Sequence, residues 1–441
     1  MPMVEVRQVQ ASVEATPGRQ SPNKVLRAGL LGTVVEYYDL AIYGLMATVL
    51  GAKFFAAEDE GTAVLATFAT FAVAFFVRIP GGIVFGQIGD KYGRKPALTA
   101  TILLMTGATA LIGVLPSYAT WGIWATIVLV LCRSVQGFAA GGELGGANVL
   151  VAESAPARRR GLYTSVVNMG STLGSILASI VALTLASMVS EEVLYDWAWR
   201  VAFLLSVVLG TIGLWIRVTL EDSPEFDAVK ASDEVEVHKV PVLALLRTAR
   251  KEVGQIILML AIGTGGYYVA SVYSTSYLQI QGDHSPSFAF LCSVVALGFG
   301  TALLPVSGML GDRFGRRPVL VCSAGIGVVV AFPAFILMGS GSVVGAIVGQ
   351  SILFGSVCMV NGTAMVTALE MLSARVRYSG LALGINTANT LLGGTAPFVA
   401  ALLVNTTGNA LAPAGLFTLV AVLSLIGALT VTGTRKLDLS L

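Results

Sequence analysis

The sequence predicts an all-α membrane protein whose twelve transmembrane helices form two pseudo-symmetric six-helix bundles. Three observations lead there. Only 12% of the 441 residues are charged and 55% are hydrophobic, and the mean hydropathy is +0.81. A water-soluble chain of this size would be about one quarter charged. Apolar runs of the roughly 20 residues needed to cross a bilayer recur from end to end. Finally, "GQIGDKYGRKP" at 86–96 returns as "GMLGDRFGRRP" at 308–318, with six of eleven positions identical and an offset of 222 residues, close to half the chain. A repeat at that spacing marks an internal duplication.

Taken in order, residues 1–27 are polar and lack the apolar core of a cleaved signal, so they read as a tail. Six apolar spans follow at 28–50, 61–88, 97–116, 119–152, 162–188 and 198–218, making an N-terminal bundle over 28–218. Residues 219–252 hold "EDSPEF" and "ASDEVEVHKV", mixed in charge, and form a linker. Within it "PVLALLRTARK" (241–251) can lie as a short amphipathic helix on the membrane surface. A second set at 254–280, 287–310, 318–338, 342–370, 379–403 and 412–433 gives a C-terminal bundle over 253–433, and 434–441 is a short tail.

Positive charge orients these spans, because Lys and Arg concentrate in cytoplasmic segments. With the N-terminus inside, the tails, the linker and the 2–3, 4–5, 8–9 and 10–11 turns carry 23 of the 27 basic residues. The other side keeps Lys53 and Arg200, while Arg78 and Arg133 lie within spans. Both termini are therefore expected in the cytoplasm of a cell with a bacterial-type inner membrane. The doubled turn falls at equivalent places in the two halves.

Several classes of function are excluded. No nucleophile–base pair or nucleotide-binding loop is visible, so no enzyme is expected. All four cysteines (Cys132, Cys292, Cys322, Cys358) sit in apolar spans and read as small buried hydrophobes. Neither His238 nor His284 falls in a span, and no metal-ligand spacing occurs, so neither cofactor nor metal is expected. Nothing points to nucleic acid. The expected partners are a small solute, protons and lipid, with the chain acting as a monomer.

The repeated pattern Gly-x-x-Gly-Asp-Lys/Arg-x-Gly-Arg resembles the signature of the major facilitator superfamily. A second doubled feature agrees: "ESAPARRRG" ends span 4 with Glu153 and Arg160 seven apart, and "EMLSARVRYSG" ends span 10 with Glu370 and Arg377 seven apart. Finer stretches, "LGTVVEYYDLAIYG" (31–44), "RSVQGFAAGGELGG" (133–146), "WAWR" (197–200), "EDSPEF" (221–226) and "GGTAP" (393–397), resemble the metabolite:proton symporter family. That resemblance implies alternating access around a central site between two bundles. It further implies a cytoplasmic gate built from Gly89, Asp90, Arg94, Glu153 and Arg160, with Gly311, Asp312, Arg316, Glu370 and Arg377 as its counterpart. Export by antiport is disfavoured, since no proline occurs between Pro156 and Pro224.

Independently of any resemblance, five charges lie deep in spans: Glu36 and Asp39 in span 1, Arg78 in span 2, Arg133 and Glu143 in span 4. Each costs ~2.5–3.5 kcal/mol even on insertion scales, so they should face one another across a wet cavity. Three carboxylates against two arginines leave one excess negative charge, a candidate proton carrier. Glu36, Asp39 and Tyr43 share a helix face, as do Arg133 and Gln136. In related sugar–proton symporters a helix 1 aspartate pairs with a helix 4 arginine. Asp39 and Arg133 stand in similar contexts, which makes Asp39 the first proton candidate. Arg78 and Glu143 lie at comparable depth and can pair, leaving Glu36 as the second candidate. Glu143 remains the third. Gly137, Gly141 and Gly145 repeat every fourth residue and invite close helix approach.

For the solute, Arg133, Gln136, Tyr43 and Arg78 are expected on the N-terminal side, and Tyr273, Tyr277, Asn361, Asn386 and Asn389 on the C-terminal side. Trp197 and Trp199 read as an interfacial aromatic belt. The expected function is proton-coupled uptake of a small organic acid, a dicarboxylate, oxo-acid or shikimate-like carboxylate. The alternative is uptake of proline or betaine. Osmosensing transporters of that kind resemble one another in a long C-terminal coiled coil, whereas this chain stops eight residues after span 12. A solute-binding membrane sensor is a more remote reading.

Overall fold

Lipid offers the backbone no hydrogen-bond partner, so each apolar run must satisfy its own N–H and C=O groups as a helix. The computed structural model shows them so. It describes residues 22–56, 59–92, 94–141, 151–152, 155–156, 158–219, 249–372 and 377–431. In the N-terminal half lie α1 (Pro22–Leu45 with Ala47–Phe54), α2 (Glu60–Tyr92), α3 (Arg94–Val114), α4 (Ile123–Ala140), α5 (Arg160–Met188) and α6 (Glu191–Trp215). The C-terminal half holds α7 (Arg250–Ile280), α8 (Pro286–Phe314), α9 (Arg316–Met338), α10 (Val343–Met371), α11 (Gly380–Thr407) and α12 (Ala412–Thr430). Ten are long and apolar enough to cross a membrane. The two arms of α1, bent by 61°, make an eleventh, and the apolar part of α3 is shorter (Thr99–Val114). Residues 1–21, 432–441 and most of the linker, including 241–248, lie outside the described residues, whereas 22–27, expected as tail, already belong to α1.

The doubled turn is barely a turn. In the C-terminal copy α8 ends at Phe314 and α9 begins at Arg316, so Gly315 alone reverses the chain. Its φ of +98° is one that side-chain-bearing residues avoid, which is why glycine stands there.

Within the N-terminal bundle α2 packs on α4 and α3 on α6; within the C-terminal bundle α8 and α9 pack on α10, and α9 on α12. The halves meet along α5 with α8 and α10, α2 with α11, and α1 with α7. The α2–α4 crossing is backbone against backbone: a Cβ at Gly137 would strike the Ala74 carbonyl, and one at Gly81 the Phe138 carbonyl. Gly137→Ala is therefore expected to destabilise the fold by about 1–3 kcal/mol, the usual cost of overpacking. Thermal unfolding in detergent measures this, and an unchanged midpoint would contradict so close a crossing.

One residue of the expected aromatic belt moves to the core. Trp199 is fully buried, edge-on to Phe54 and Phe203 with ring centroids 5.7 Å from each, and the Arg200 guanidinium lies 4.4 Å from its ring. Trp197 stays on the surface. Trp197 lies inside a five-residue π-helical stretch, Leu194–Ala198, and Trp199 follows it directly.

α7 and α11 carry the same irregularity where they face the centre. α7 contains two π-helical stretches, Ile262–Gly266 and Val269–Tyr273, and α11 one, Asn389–Gly393. Such bulges displace side chains from the α-helical register and are frequent at functional sites.

Candidate functional site

Between the halves lies a cavity of about 120 Å³. A single water needs about 10–15 Å³ on such a measure, so there is room for a small solute but not an extended one. From the N-terminal half it is walled by Thr33, Glu36 and Tyr37 of α1 and Asn168, Ser171 and Thr172 of α5. From the other half come Thr264, Tyr267 and Tyr268 of α7, Asn361 of α10 and Asn389 of α11.

Tyr267 is held by its hydroxyl, at 2.9 Å from Ser175 Oγ and donating to the Ser171 carbonyl at 3.3 Å. Its ring meets Tyr37, Tyr268 and Phe354 edge-on at 6.2, 5.2 and 5.4 Å. Asn361 is anchored by donating to the Gly263 carbonyl, one exposed by the first π stretch of α7, at 3.0 Å. These bonds fix the polar wall before any solute arrives.

Glu36 carries the charge of the wall. Arg78 of α2, itself 2% exposed, donates from Nη2 to Glu36 Oε1 at 2.5 Å. Among the described residues the carboxylate that burial demands for Arg78 comes from α1; Glu143, the partner expected from the sequence, lies outside them.

A second charged cluster lies beside this one. Arg133 is fully buried, with Cζ 4.0 Å from the Tyr43 ring centroid and 5.1 Å from that of Phe71. Its Nη1 donates to Gln136 Oε1 at 2.7 Å, and Gln136 Nε2 in turn donates to Thr109 Oγ1 of α3 at 2.6 Å. The Tyr43 hydroxyl bonds Thr70 of α2. Asp39, 1% exposed, lies within electrostatic range of this guanidinium. Nε and Nη2 of Arg133 have no hydrogen-bond partner among the described residues.

The expected solute contacts thus divide. Asn361 and Asn389 are on the cavity wall, and Arg78 is bonded to it through Glu36. Arg133, Gln136 and Tyr43 belong to the neighbouring cluster rather than the wall. Tyr273 packs against Phe68, Tyr277 donates to the Phe335 carbonyl at 3.4 Å, and Asn386 is off the wall as well. The polar wall of α5 and the pair Tyr37 and Tyr267 were missed as solute contacts. Asn168, Ser171, Thr172 and Ser175, spaced 3, 1 and 3, already marked one polar face of α5.

The end away from the doubled turn is shut by cross-bundle contacts. Tyr268 packs edge-on to Phe71 and Phe75, Thr390 donates to the Phe75 carbonyl at 3.0 Å, and Thr48 donates to Gln279 at 2.9 Å. At the doubled-turn end Arg316 grips Glu370 with two donors, Nη2 at 3.0 Å and Nε at 3.2 Å, and Asp312 with Nη1 at 2.7 Å. The Asp312 carboxylate then crosses between halves, accepting from the backbone N–H groups of Gly161 and Leu162, at 2.9 and 3.0 Å, in the first turn of α5. Arg160 is buried beside it and Gly311 lies at the back of the cluster. For the other copy only the backbone of Gly89, Asp90 and Arg94 is described, as for Arg377, and Glu153 lies outside the described residues.

Comparison with known proteins agrees with this geometry. The sequence profile of the Major Facilitator Superfamily matches residues 29–397. The proline/betaine transporter of Salmonella typhimurium is 36% identical over 423 residues, covering 94% of this chain and 84% of that one. The glycine betaine/proline/ectoine/pipecolic acid transporter OusA of Dickeya dadantii is 35% identical over 422 residues with the same coverages. Among solved structures, a D-xylose–proton symporter superposes with a TM-score of 0.75 at 19% identity, over 95% of this chain and 99% of its own. A partially occluded inward-open form of the xylose transporter XylE from E. coli gives 0.69 at 16%, over 92% and 96%. These two speak to the fold alone. With its profile match, its relatives and its doubled motifs in agreement, the chain belongs to the major facilitator superfamily, in the metabolite:proton symporter family.

Proposed function

We propose that this protein takes up a small zwitterionic osmolyte, of the proline or betaine kind, by proton-coupled symport. The expectation of an organic acid is overturned by relatives at 34–36% identity named for proline and betaine.

The observation that carries the reading is the charge of the cavity wall. Apart from tyrosine and cysteine, Glu36 is the ionisable group on it, and Arg78 neutralises Glu36. A dicarboxylate would meet no free cation among the described wall residues, whereas a zwitterion adds no net charge to a poorly solvated space. Tyrosine, asparagine and serine suit a compact solute with polar ends and an apolar body.

Asp39 is the proposed proton carrier, with Arg133 its counter-charge. The Asp312–Arg316–Glu370 cluster is the proposed gate at the cytoplasmic end, with both termini on that side of an inner membrane, as the basic turns suggest.

Radiolabelled glycine betaine and proline, offered to proteoliposomes under an inward pH gradient, test the reading. Accumulation abolished by a protonophore is expected. Accumulation of dicarboxylates instead, or saturable binding without any accumulation, would overturn it.

A further inference from the structure

The Glu36–Arg78 pair is more than a neutral spot on the wall. Glu36 reaches the cavity, while Arg78 stands behind it, 2% exposed, with Nε–H lacking any hydrogen-bond partner among the described residues. A buried guanidinium with an unused donor is a costly arrangement that a carboxylate relieves. The phenols of Tyr37 and Tyr268 lie within electrostatic range of both members of the pair. Tyr267 stands edge-on between these two rings.

We propose that this pair reads both charges of the solute. The cationic nitrogen settles against Glu36 and the rings of Tyr37, Tyr267 and Tyr268, and the carboxylate engages Arg78. This assignment rests on the zwitterion reading above and adds which residue meets which end. Aromatic faces attract cations that cannot donate a hydrogen bond, so the pocket favours N-methylated nitrogen. Since Glu36 and Arg78 touch, the two solute charges must also be close, as in α-amino acids and glycine betaine. The pair acts by inserting the solute's own dipole into an existing ion pair, so no charge is stranded in the loaded state.

Three probes of one shape separate the contributions. Glycine betaine carries both charges. Dimethylbutanoate, with carbon in place of nitrogen, keeps only the carboxylate. Choline keeps only the trimethylammonium group. Binding to purified full-length protein is measured by calorimetry for wild type, Glu36→Gln and Arg78→Gln. Wild type is expected to prefer betaine over either analogue by at least about tenfold, equivalent to ~1.4 kcal/mol. Glu36→Gln leaves a lone cation and should shift preference toward dimethylbutanoate by about tenfold or more. Arg78→Gln should shift it toward choline by a similar factor.

A role confined to bracing the helices would weaken all three probes together without reordering them, and that result overturns the assignment. Should a single variant fail to fold, the double variant Glu36→Gln/Arg78→Gln strands no charge and is expected to lose the advantage of betaine. Retention of that advantage would equally overturn the proposal. If wild type binds neither betaine nor proline, the zwitterion reading itself falls; if it binds betaine and the variants keep its ranking, only the present inference does.

Discussion

Asp39→Asn is expected to abolish accumulation of solute driven by a pH gradient, while exchange between equally loaded sides continues within about twofold of wild type. Each pH unit across the membrane is worth ~1.4 kcal/mol per proton, so one-to-one coupling lets wild type concentrate solute about tenfold per unit. Asparagine has the shape of the protonated acid but binds no proton, so the variant should stop at a ratio near one. The reason to choose Asp39 is its setting. It is buried, within reach of an Arg133 that lies against the rings of Tyr43 and Phe71 and is bonded to Gln136. When Asp39 is ionised its charge offsets that of Arg133 within electrostatic range; when it is protonated Arg133 keeps a net positive charge beside the cavity. Two charge states of one buried cluster can favour two conformations, and that difference is what coupling requires. Glu36 is less suited, because Arg78 already holds its charge at 2.5 Å. Paired measurements of accumulation and exchange in proteoliposomes decide the matter. Asp39→Asn that still concentrates betaine as external pH is lowered would move the proton to another carboxylate.

How far the sequence reached depended on which physical rule each residue obeyed. Charges in lipid are costly enough that Glu36, Asp39, Arg78 and Arg133 announced themselves without any neighbour being known. Which carboxylate meets Arg78 is harder to read. Counting 1.5 Å per residue places it level with Glu143, but depth along a helix says nothing about rotation around it, and among the described residues its partner is Glu36. That one pairing also bears on the solute. With Arg78 neutralised, the wall no longer offers the free cation that an organic acid needs.

On α7 the expected tyrosines stay together but lie off the cavity. Tyr273 and Tyr277 share a side, with ring centroids 6.2 Å apart, and pack toward Phe68 and Phe335, whereas Tyr267 and Tyr268, nearer the start of the helix, line the cavity. Trp199 shows the limit of reading residue type alone. Its type suggests an interface, but it packs inward onto Phe54 and Phe203. Gly137 and Gly141 were legible because the close approach of α2 leaves no room for a Cβ there, while Gly145 lies outside the described residues.

Asp312→Asn should release the gate, raising the population open at the doubled-turn end by about five- to thirty-fold. Asp312 joins two kinds of contact. Within its own half it takes Arg316 Nη1, and across the halves both its oxygens accept backbone N–H groups of Gly161 and Leu162 at the start of α5. A carboxylate there also meets the positive end of the helix dipole, a further ~0.3–1 kcal/mol. Hydrogen bonds to a charged group are worth about 1.5–3 kcal/mol each, against about 1 kcal/mol for neutral ones. Asparagine keeps the size and one acceptor but loses the charge and the second acceptor, so a loss of about 1–2 kcal/mol is a modest expectation. Insertion should survive, because Arg316 retains its two-donor grip on Glu370 and the basic residues that orient the chain are untouched. At this crossing α5 and α8 approach closely through Gly161 and Gly308, with Asp312, Arg316 and Ser165 packed against them, so the Asp312 contacts sit at the seam itself. Opening exposes the cavity wall, where Met365 of α10 supplies a reporter. In a background with the four native cysteines replaced, Met365→Cys should react with a thiol probe from the doubled-turn end several-fold faster when Asp312→Asn is added. Saturating glycine betaine should slow that labelling in both proteins if the solute occupies the same cavity. Labelling rates that do not change with Asp312→Asn would mean that the α5–α8 contact only fixes the register of the halves, and that the gate lies elsewhere.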